Sequence, residues 1–193
     1  MKKSKLKIIG RYACELSIVV LGVLISLLIS SKLSERNERN DLQLQLLAVR
    51  LELEDNLRFI DEFIYYYDQV NLTKENINAG KWDDKDAWAL SWCQNFYYKR
   101  DALDMLKNTG YLRLITDKQQ LLDILECYHL MEIAKDDNDR FMAIKISLIS
   151  FEDDNSIQLS IGRIKRWIID MDGTEKYFHK SKDQINKVLT YKF

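Results

Sequence analysis

A long uncharged apolar run near the N-terminus is the strongest hydrophobic signal in the chain. No charged residue lies between Leu16 and Ser31, and Leu, Ile and Val make up most of that stretch. Extended from Tyr12 to Leu33, the run reaches the roughly 20 residues that a helix needs to cross a bilayer. The pattern therefore predicts a single transmembrane helix over residues 12–33.

The charges that flank this run predict its orientation. Residues 1–11 form a short basic tip, and the small-x-small motif of a cleaved signal peptide does not follow the apolar run cleanly. We therefore interpret the segment as an uncleaved signal anchor in a bacterial inner membrane. By the positive-inside rule the N-terminus stays in the cytoplasm and residues 34–193 form an exported, periplasmic domain. The basic residues of the tip are Lys2, Lys3, Lys5, Lys7 and Arg11.

Apolar residues alternate at spacings of three and four through the next segment, which predicts a long helix over 34–78. Asn56 is the only clearly polar member of this seam, the kind of residue that fixes register in a coiled coil. Packing within the chain is favoured over a free coiled coil, because later segments carry enough Leu, Trp and Phe to cover the seam. The seam residues are Leu46, Val49, Leu53, Asn56, Ile60, Phe63, Tyr67 and Val70.

A second stripe on the same helix consists of Leu44, Leu47 and Leu51. Its helical spacing suggests that the helix also packs within its own domain on this side.

The remaining sequence predicts an all-α protein in which the long helix joins an exported helical bundle. The chain has no proline, and its few glycines separate helical patterns. Helices are expected at about 87–108, from Lys118 onward, over 157–170 and over 175–191. Gly110 is placed as a helix C-cap before an extended link at 111–115, and Asp117 with Gln120 forms a capping box.

Polar and small residues within the predicted membrane helix are the candidate contact site for a partner. Gly22, Ser26 and Ser30 recur every four residues, and such small-residue faces allow close helix approach. Glu15 lies four residues after Arg11, so the two can pair along one helix face. Alternatively, Glu15 makes a polar contact with a partner helix or handles a proton.

Composition narrows the possible chemistry. The net charge is −1 and the basic excess sits at the apolar run, so membrane lipid rather than nucleic acid is expected as a partner. No phosphate loop, nucleophile elbow or metal motif is present, so no enzymatic activity, metal or cofactor is expected. The acidic clusters 136–139 and 152–154 are interpreted as solvated. A Cys93–Cys127 disulfide is less favoured than two buried free thiols.

Two stretches share the residue order of a known family. The first is Tyr12–Glu15 followed by Ile18–Leu27, and the second runs from Leu106 through Gly110 to the helix after it. They resemble a domain of unknown function found in uncharacterised single-pass membrane proteins common in Bacteroidota. The chain departs from that family at 28–35, where the family carries a Trp. The resemblance implies a membrane location and a helical fold, and it adds weight to Glu15. The second stretch matches at Leu106, Gly110, Leu112, Leu114, Ile115, Leu121, Ile124 and Tyr128.

These observations favour a membrane-anchored helical scaffold or accessory subunit. Such a protein binds other membrane or envelope proteins, as part of a multi-subunit complex or as a homo-oligomer. One alternative is a component of an ion-coupled or transport complex that uses Glu15 in the membrane. Another is an exported sensor domain, although a cytoplasmic tip of eleven residues leaves no room for an output domain.

Overall fold

The fold of the described residues is all-α, as the sequence predicts. A computed structural model describes residues 2–81, 95–149 and 174–192, with side chains at 16–81, 95–143 and 175–192. These residues form four α-helices and a 3-10 turn, and none of them is in a strand. The chain divides into two units, Met1–Leu44 and Gln45–Phe193. The helices are α1 (Lys2–Asn78), α2 (Asp101–Asn108), α3 (Lys118–Ile149) and α4 (Thr174–Leu189).

Helix α1 unites the two helices that the sequence predicts separately. The basic tip, the apolar run and the seam segment are all helical from Lys2 onward. The helix ends at Asn78, where Gly80 adopts a left-handed φ of 67°. The N–H of Gly80 donates to Ile77 O and that of Lys81 donates to Asn76 O, which is a Schellman C-cap.

Helix α2 is shorter than predicted. Residues 95–100 are not helical, so the predicted helix over 87–108 is wrong in that part, while 87–94 lie outside the described residues together with Trp88 and Trp92. Side chains of Asn56 and Asn138 bind the backbone of this segment. Those bonds occupy amide groups that a helix would need for its own ladder.

The connection between α2 and α3 combines an expected cap with an unexpected turn. Gly110 has a φ of 72°, as expected for a residue just past a helix end. The next four residues, Tyr111–Leu114, form a 3-10 turn rather than the predicted extended link. Asp117 Oδ1 accepts bonds from the N–H groups of Gln119 and Gln120, so the predicted N-cap of α3 is present.

Helices α3 and α4 pack against each other along the domain. The acidic cluster 136–139 lies inside α3, where Lys135 and Asp139 form an ion pair. The helix predicted over 157–170 and the cluster 152–154 lie outside the described residues.

An aromatic cluster forms the centre of the domain. Phe63 of α1 lies 5.1 Å from Phe96 and 5.3 Å from Phe178 of α4, measured between ring centroids. Phe96 and Phe178 meet edge to face at 4.8 Å, a preferred geometry for aromatic pairs. Tyr67 lies 5.4 Å from Phe178. Every residue of the predicted seam from Leu46 to Val70 is buried, so its partners come from the same chain.

Candidate functional site

The apolar stretch of α1 is exposed along its whole described length. Among the described residues, α1 alone is long and apolar enough to cross a membrane, with a mean hydropathy of 2.3 over 18 residues. None of that window is buried within the chain. The large apolar side chains from Leu16 to Leu33 are between 47% and 68% exposed. Soluble monomers rarely show contiguous apolar patches of more than a few hundred Å², so this surface is consistent with a single-pass membrane anchor.

The small-residue face lies within this exposed stretch. Gly22, Ser26 and Ser30 are all exposed. A Cβ built on Gly22 would meet no atom within 4 Å, so no described part of the chain packs there. Arg11 and Glu15 belong to α1, but their side chains lie outside the described ones. The predicted pairing of Arg11 with Glu15 therefore stays a prediction.

The second leucine stripe is exposed and no described part of the domain buries it, whereas the sequence predicts that it packs there. Leu44, Leu47 and Leu51 are 67%, 47% and 55% exposed. At about 100° per residue, Leu47 and Leu51 point away from the side of α1 that carries Val49 and Leu53. The described helices of the domain cover only one side of α1, and that side is the seam.

Asn56 has a different role from the register-fixing one that the seam pattern suggests. It is fully buried. Its Nδ2 donates to Lys99 O at 2.8 Å, and its Oδ1 accepts from Lys99 N at 2.7 Å. The side-chain amide thus satisfies both backbone groups of one residue in the non-helical segment 95–100. Asn56 fixes the position of that segment against α1.

Asn138 of α3 holds the same segment from the other side. Its Oδ1 accepts from Phe96 N at 2.9 Å, and its Nδ2 lies 3.2 Å from Tyr67 Oη. Both Asn138 and Phe96 are buried. Because a buried N–H without a partner is costly, this contact allows Phe96 to enter the aromatic cluster while its backbone stays satisfied.

Glu52 of α1 connects α2 and α3. Its Oε2 accepts from the backbone N–H of Ala102 at 2.8 Å, within the first turn of α2, where a carboxylate is favoured. Its Oε1 accepts from Tyr128 Oη at 2.5 Å. Burial, followed by the bond to Glu52, raises the pKa of the Tyr128 phenol well above its usual range. Tyr128 therefore remains a neutral donor.

Asp123 is the centre of a polar cluster that joins α3 to α4 and the C-terminal residues. Its carboxylate accepts from Gln119, Lys187 at 2.9 Å and Tyr191 at 2.5 Å, and Gln184 also reaches it at 3.2 Å. Burial raises the pKa of the carboxyl, but these bonds to the ionised form outweigh burial and bring the pKa to about 2. No sequence motif marks this cluster, because Tyr191 lies 68 residues from Asp123 along the chain.

The remaining candidate groups lack the geometry of a reactive site. Cys127 is a free, buried thiol whose pKa is raised to about 12, mainly by burial, so it is not a thiolate nucleophile. Cys93 lies outside the described residues. His129 is exposed. Within the described ranges, no group of three or more His, Cys, Asp or Glu side chains could hold a metal ion.

Comparisons with protein-family models, curated proteins and solved structures give no match. The resemblance to the Bacteroidota membrane family therefore stays a prediction. Function has to be argued from the exposed apolar helix and the self-contained core.

Proposed function

We propose that this protein is a membrane-anchored helical scaffold or accessory subunit that binds another membrane or envelope protein. Residues 12–33 span the bacterial inner membrane once, with the basic tip in the cytoplasm. The domain after residue 34 lies in the periplasm. The observation that carries the proposal is the exposed apolar stretch Leu16–Leu33, none of which is buried by the described chain.

The energy of that stretch favours lipid over water. Burying a Leu, Ile or Val side chain is worth on the order of 1.5–3 kcal/mol relative to leaving it exposed. Twelve large apolar side chains lie exposed between Leu16 and Leu33. The summed free energy of transferring these side chains into hydrocarbon is larger than the net free energy of unfolding of a typical domain. Membrane insertion is therefore the stable state.

The domain after Leu44 does not need the anchor to complete its core. The seam of α1 is buried by its own chain, and the polar groups at Glu52, Asn56, Asp123 and Asn138 all have partners. The same polar groups act as structural ties between helices. This supports a binding domain more than a catalytic one.

The anchor carries features that tethering alone does not require. In this topology Glu15 lies in the membrane-spanning segment. Inserting a carboxylate costs roughly 2.5–3.5 kcal/mol at the centre of such a helix on insertion scales, and less toward the interface. The exposed face of Gly22, Ser26 and Ser30 allows a second helix to approach closely. Any Leu-rich span would tether the domain equally well, so these residues indicate a specific protein contact in the membrane.

The test replaces residues 12–31 with a Leu/Ala span of equal length and keeps Lys2–Arg11. Proteins recovered with the tagged chain after gentle detergent extraction are identified by mass spectrometry, for the native and the replaced span. We expect the generic span to keep the chain in the membrane fraction but to lose the partner. Restoring Glu15 alone, or the Gly22/Ser26/Ser30 face alone, then shows which feature carries the contact.

Full recovery of the same partner with the generic span would show that the helix is only a tether. A chain that leaves the membrane fraction even with its native span would contradict the anchor itself. The two results are distinguished by membrane sedimentation before detergent is added.

A further inference from the structure

The exposed side of α1 carries a second, unbroken heptad pattern. Its positions are separated by four, three, four, three and four residues, and all of them are exposed. The same spacing continues along the helix at Leu47 and Leu51, where the side chains are again exposed. We name this set the outer seam; it consists of Ser26, Ser30, Leu33, Asn37, Asn40, Leu44, Leu47 and Leu51.

The outer seam has the length of a short coiled coil, with leucine at four of its eight core positions and serine or asparagine at the other four. In heptad notation the a positions are Ser30, Asn37, Leu44 and Leu51, and the d positions are Ser26, Leu33, Asn40 and Leu47. The next positions in register are Glu54 and Arg58, which pair with Arg50 and Asp55 on the same helix. The pattern therefore stops where ordinary charged surface begins.

The side chains beside the outer seam fit a second copy of the same helix. In a parallel two-stranded coiled coil, a g residue of one helix faces the e residue of the next heptad in the other. Here the g position is Arg36 and the following e position is Asp41, so a symmetric parallel pair would bring these opposite charges together twice. Asn37 at an a position matches Asn37 of the other copy, which favours two strands in fixed register.

We propose that the outer seam is a homodimer interface, in which two copies of this chain form a parallel coiled coil from Ser26 to Leu51. The inference rests on the proposed membrane anchor, because two copies inserted with the same orientation and depth are parallel and in register without further cost. Ser26 and Ser30 let the two helices meet closely in the membrane, and the leucines bury their exposed area beyond it.

The test is a disulfide scan of the full chain in sedimented membranes. Native cysteines are first replaced (Cys14→Ser, Cys93→Ser, Cys127→Ala), and single cysteines are then placed at three seam positions and two matched positions off the seam. After mild oxidation, we expect chains of doubled mass for Asn37→Cys, Asn40→Cys and Leu44→Cys. Glu38→Cys and Arg39→Cys should give at least fivefold less.

A flat profile across the five positions, or none of the variants cross-linking, would overturn the dimer. A periodic profile whose adducts have some other mass would also overturn it, because a different protein then covers the seam. Absence of the chain from the membrane pellet removes the anchor and this inference together. A pelleted chain with a flat profile removes this inference alone.

A second test uses the chain with its native cysteines, so that its result does not depend on the cysteine replacements. Leu44→Glu with Leu47→Glu should convert the detergent-extracted chain from dimer to monomer in a mass measurement by light scattering. Leu72→Glu, at an exposed position of the same helix, is the control and should stay dimeric. An unchanged dimer in the double variant would contradict the proposed interface.

Discussion

Apolar side chains are exposed in the first part of α1 and buried along one side of its second part. From Leu16 to Leu44 the helix exposes its leucines, isoleucines and valines, apart from Leu42. From Gln45 to Asn78 one side of the helix is buried by aromatic and aliphatic side chains of its own chain. The sequence predicts that the seam packs within the chain, and the structure confirms this burial, whereas the apolar part has no such cover among the described residues.

The difference is also one of polar groups. Inside the domain, buried polar side chains such as Asn56 and Asn138 make geometrically specific bonds to distant backbone groups. In the apolar part, the polar side chains of Ser26 and Ser30 are exposed, so they are free to face lipid or a partner helix. The first arrangement stabilises one fold, and the second is suited to assembly.

The largest effect is expected from charge in the apolar part. Arginine costs on the order of 2.5–3.5 kcal/mol at the centre of a membrane helix. The triple variant Leu21→Arg, Leu24→Arg and Leu28→Arg should therefore lose nearly all carbonate-resistant membrane association. Isoleucine at the same three positions is the control and should behave as the native chain. Persistent membrane association of the arginine variant would contradict a spanning helix.

Truncation in the aromatic cluster should lower the stability of the domain and leave membrane association unchanged. Phe63→Ala removes a buried ring that contacts Phe96 and Phe178, and should lower the free energy of unfolding by about 3–5 kcal/mol. Membrane association should not change. Tyr65→Ala is the matched control, because that ring is exposed on the same helix and its loss should cost less than about 0.5 kcal/mol. Equal destabilisation by both variants would show that the cluster is not the core.

The two hydrogen bonds from Asn56 to Lys99, which we call the Asn56 clamp, should contribute less to the free energy of unfolding than the aromatic cluster. Asn56→Ala leaves the N–H and C=O of Lys99 without their partner, at a cost of about 1–3 kcal/mol in denaturant unfolding. Amide exchange at Lys99 should accelerate more than exchange in the middle of α3. Asn56→Asp keeps the acceptor for the Lys99 N–H but loses the donor to the Lys99 carbonyl. Its free energy of unfolding should lie between those of the native chain and Asn56→Ala. If amide hydrogen exchange at Lys99 were unchanged in Asn56→Ala, the Asn56 clamp would not hold this segment.

The smallest effect is a pH dependence at Asp123. Its pKa is about 2 in the folded chain against 3.8 for an ordinary Asp, so the unfolded state binds the proton more readily. The stability from this group is present above about pH 4 and is lost as the pH falls toward about 2. Asp123→Asn should be less stable at neutral pH and should lose this part of the acid sensitivity. An identical slope between pH 4 and pH 2 in both chains would exclude Asp123 as its source.

Periodic patterns predicted more of this molecule than single residues did. The all-α class, the end of the long helix near Asn78 and the Asp117 cap of α3 are visible in the sequence because each depends on neighbouring residues. The partner of Asn56 is not, because it is a backbone group 43 residues away. The same holds for the break of the predicted helix at 95–100, which depends on Asn56 and Asn138.

Two apolar stripes on one helix also cannot be assigned from sequence alone. The seam at Leu46–Val70 and the stripe at Leu44, Leu47 and Leu51 have the same helical spacing. The first is buried by the chain and the second is exposed, because the described helices of the domain pack on one side of α1 only.

The most direct test of the account is thiol accessibility in intact cells whose outer membrane has been permeabilised. Single cysteines are placed at Leu24 in the apolar stretch and at exposed Asn186 in α4, in a chain without native cysteines, and treated with a membrane-impermeant maleimide. We predict that Asn186→Cys is labelled at once, whereas Leu24→Cys reacts only after detergent dissolves the membrane. Labelling of Leu24→Cys at the same rate as Asn186→Cys, without detergent, would contradict a helix buried in lipid.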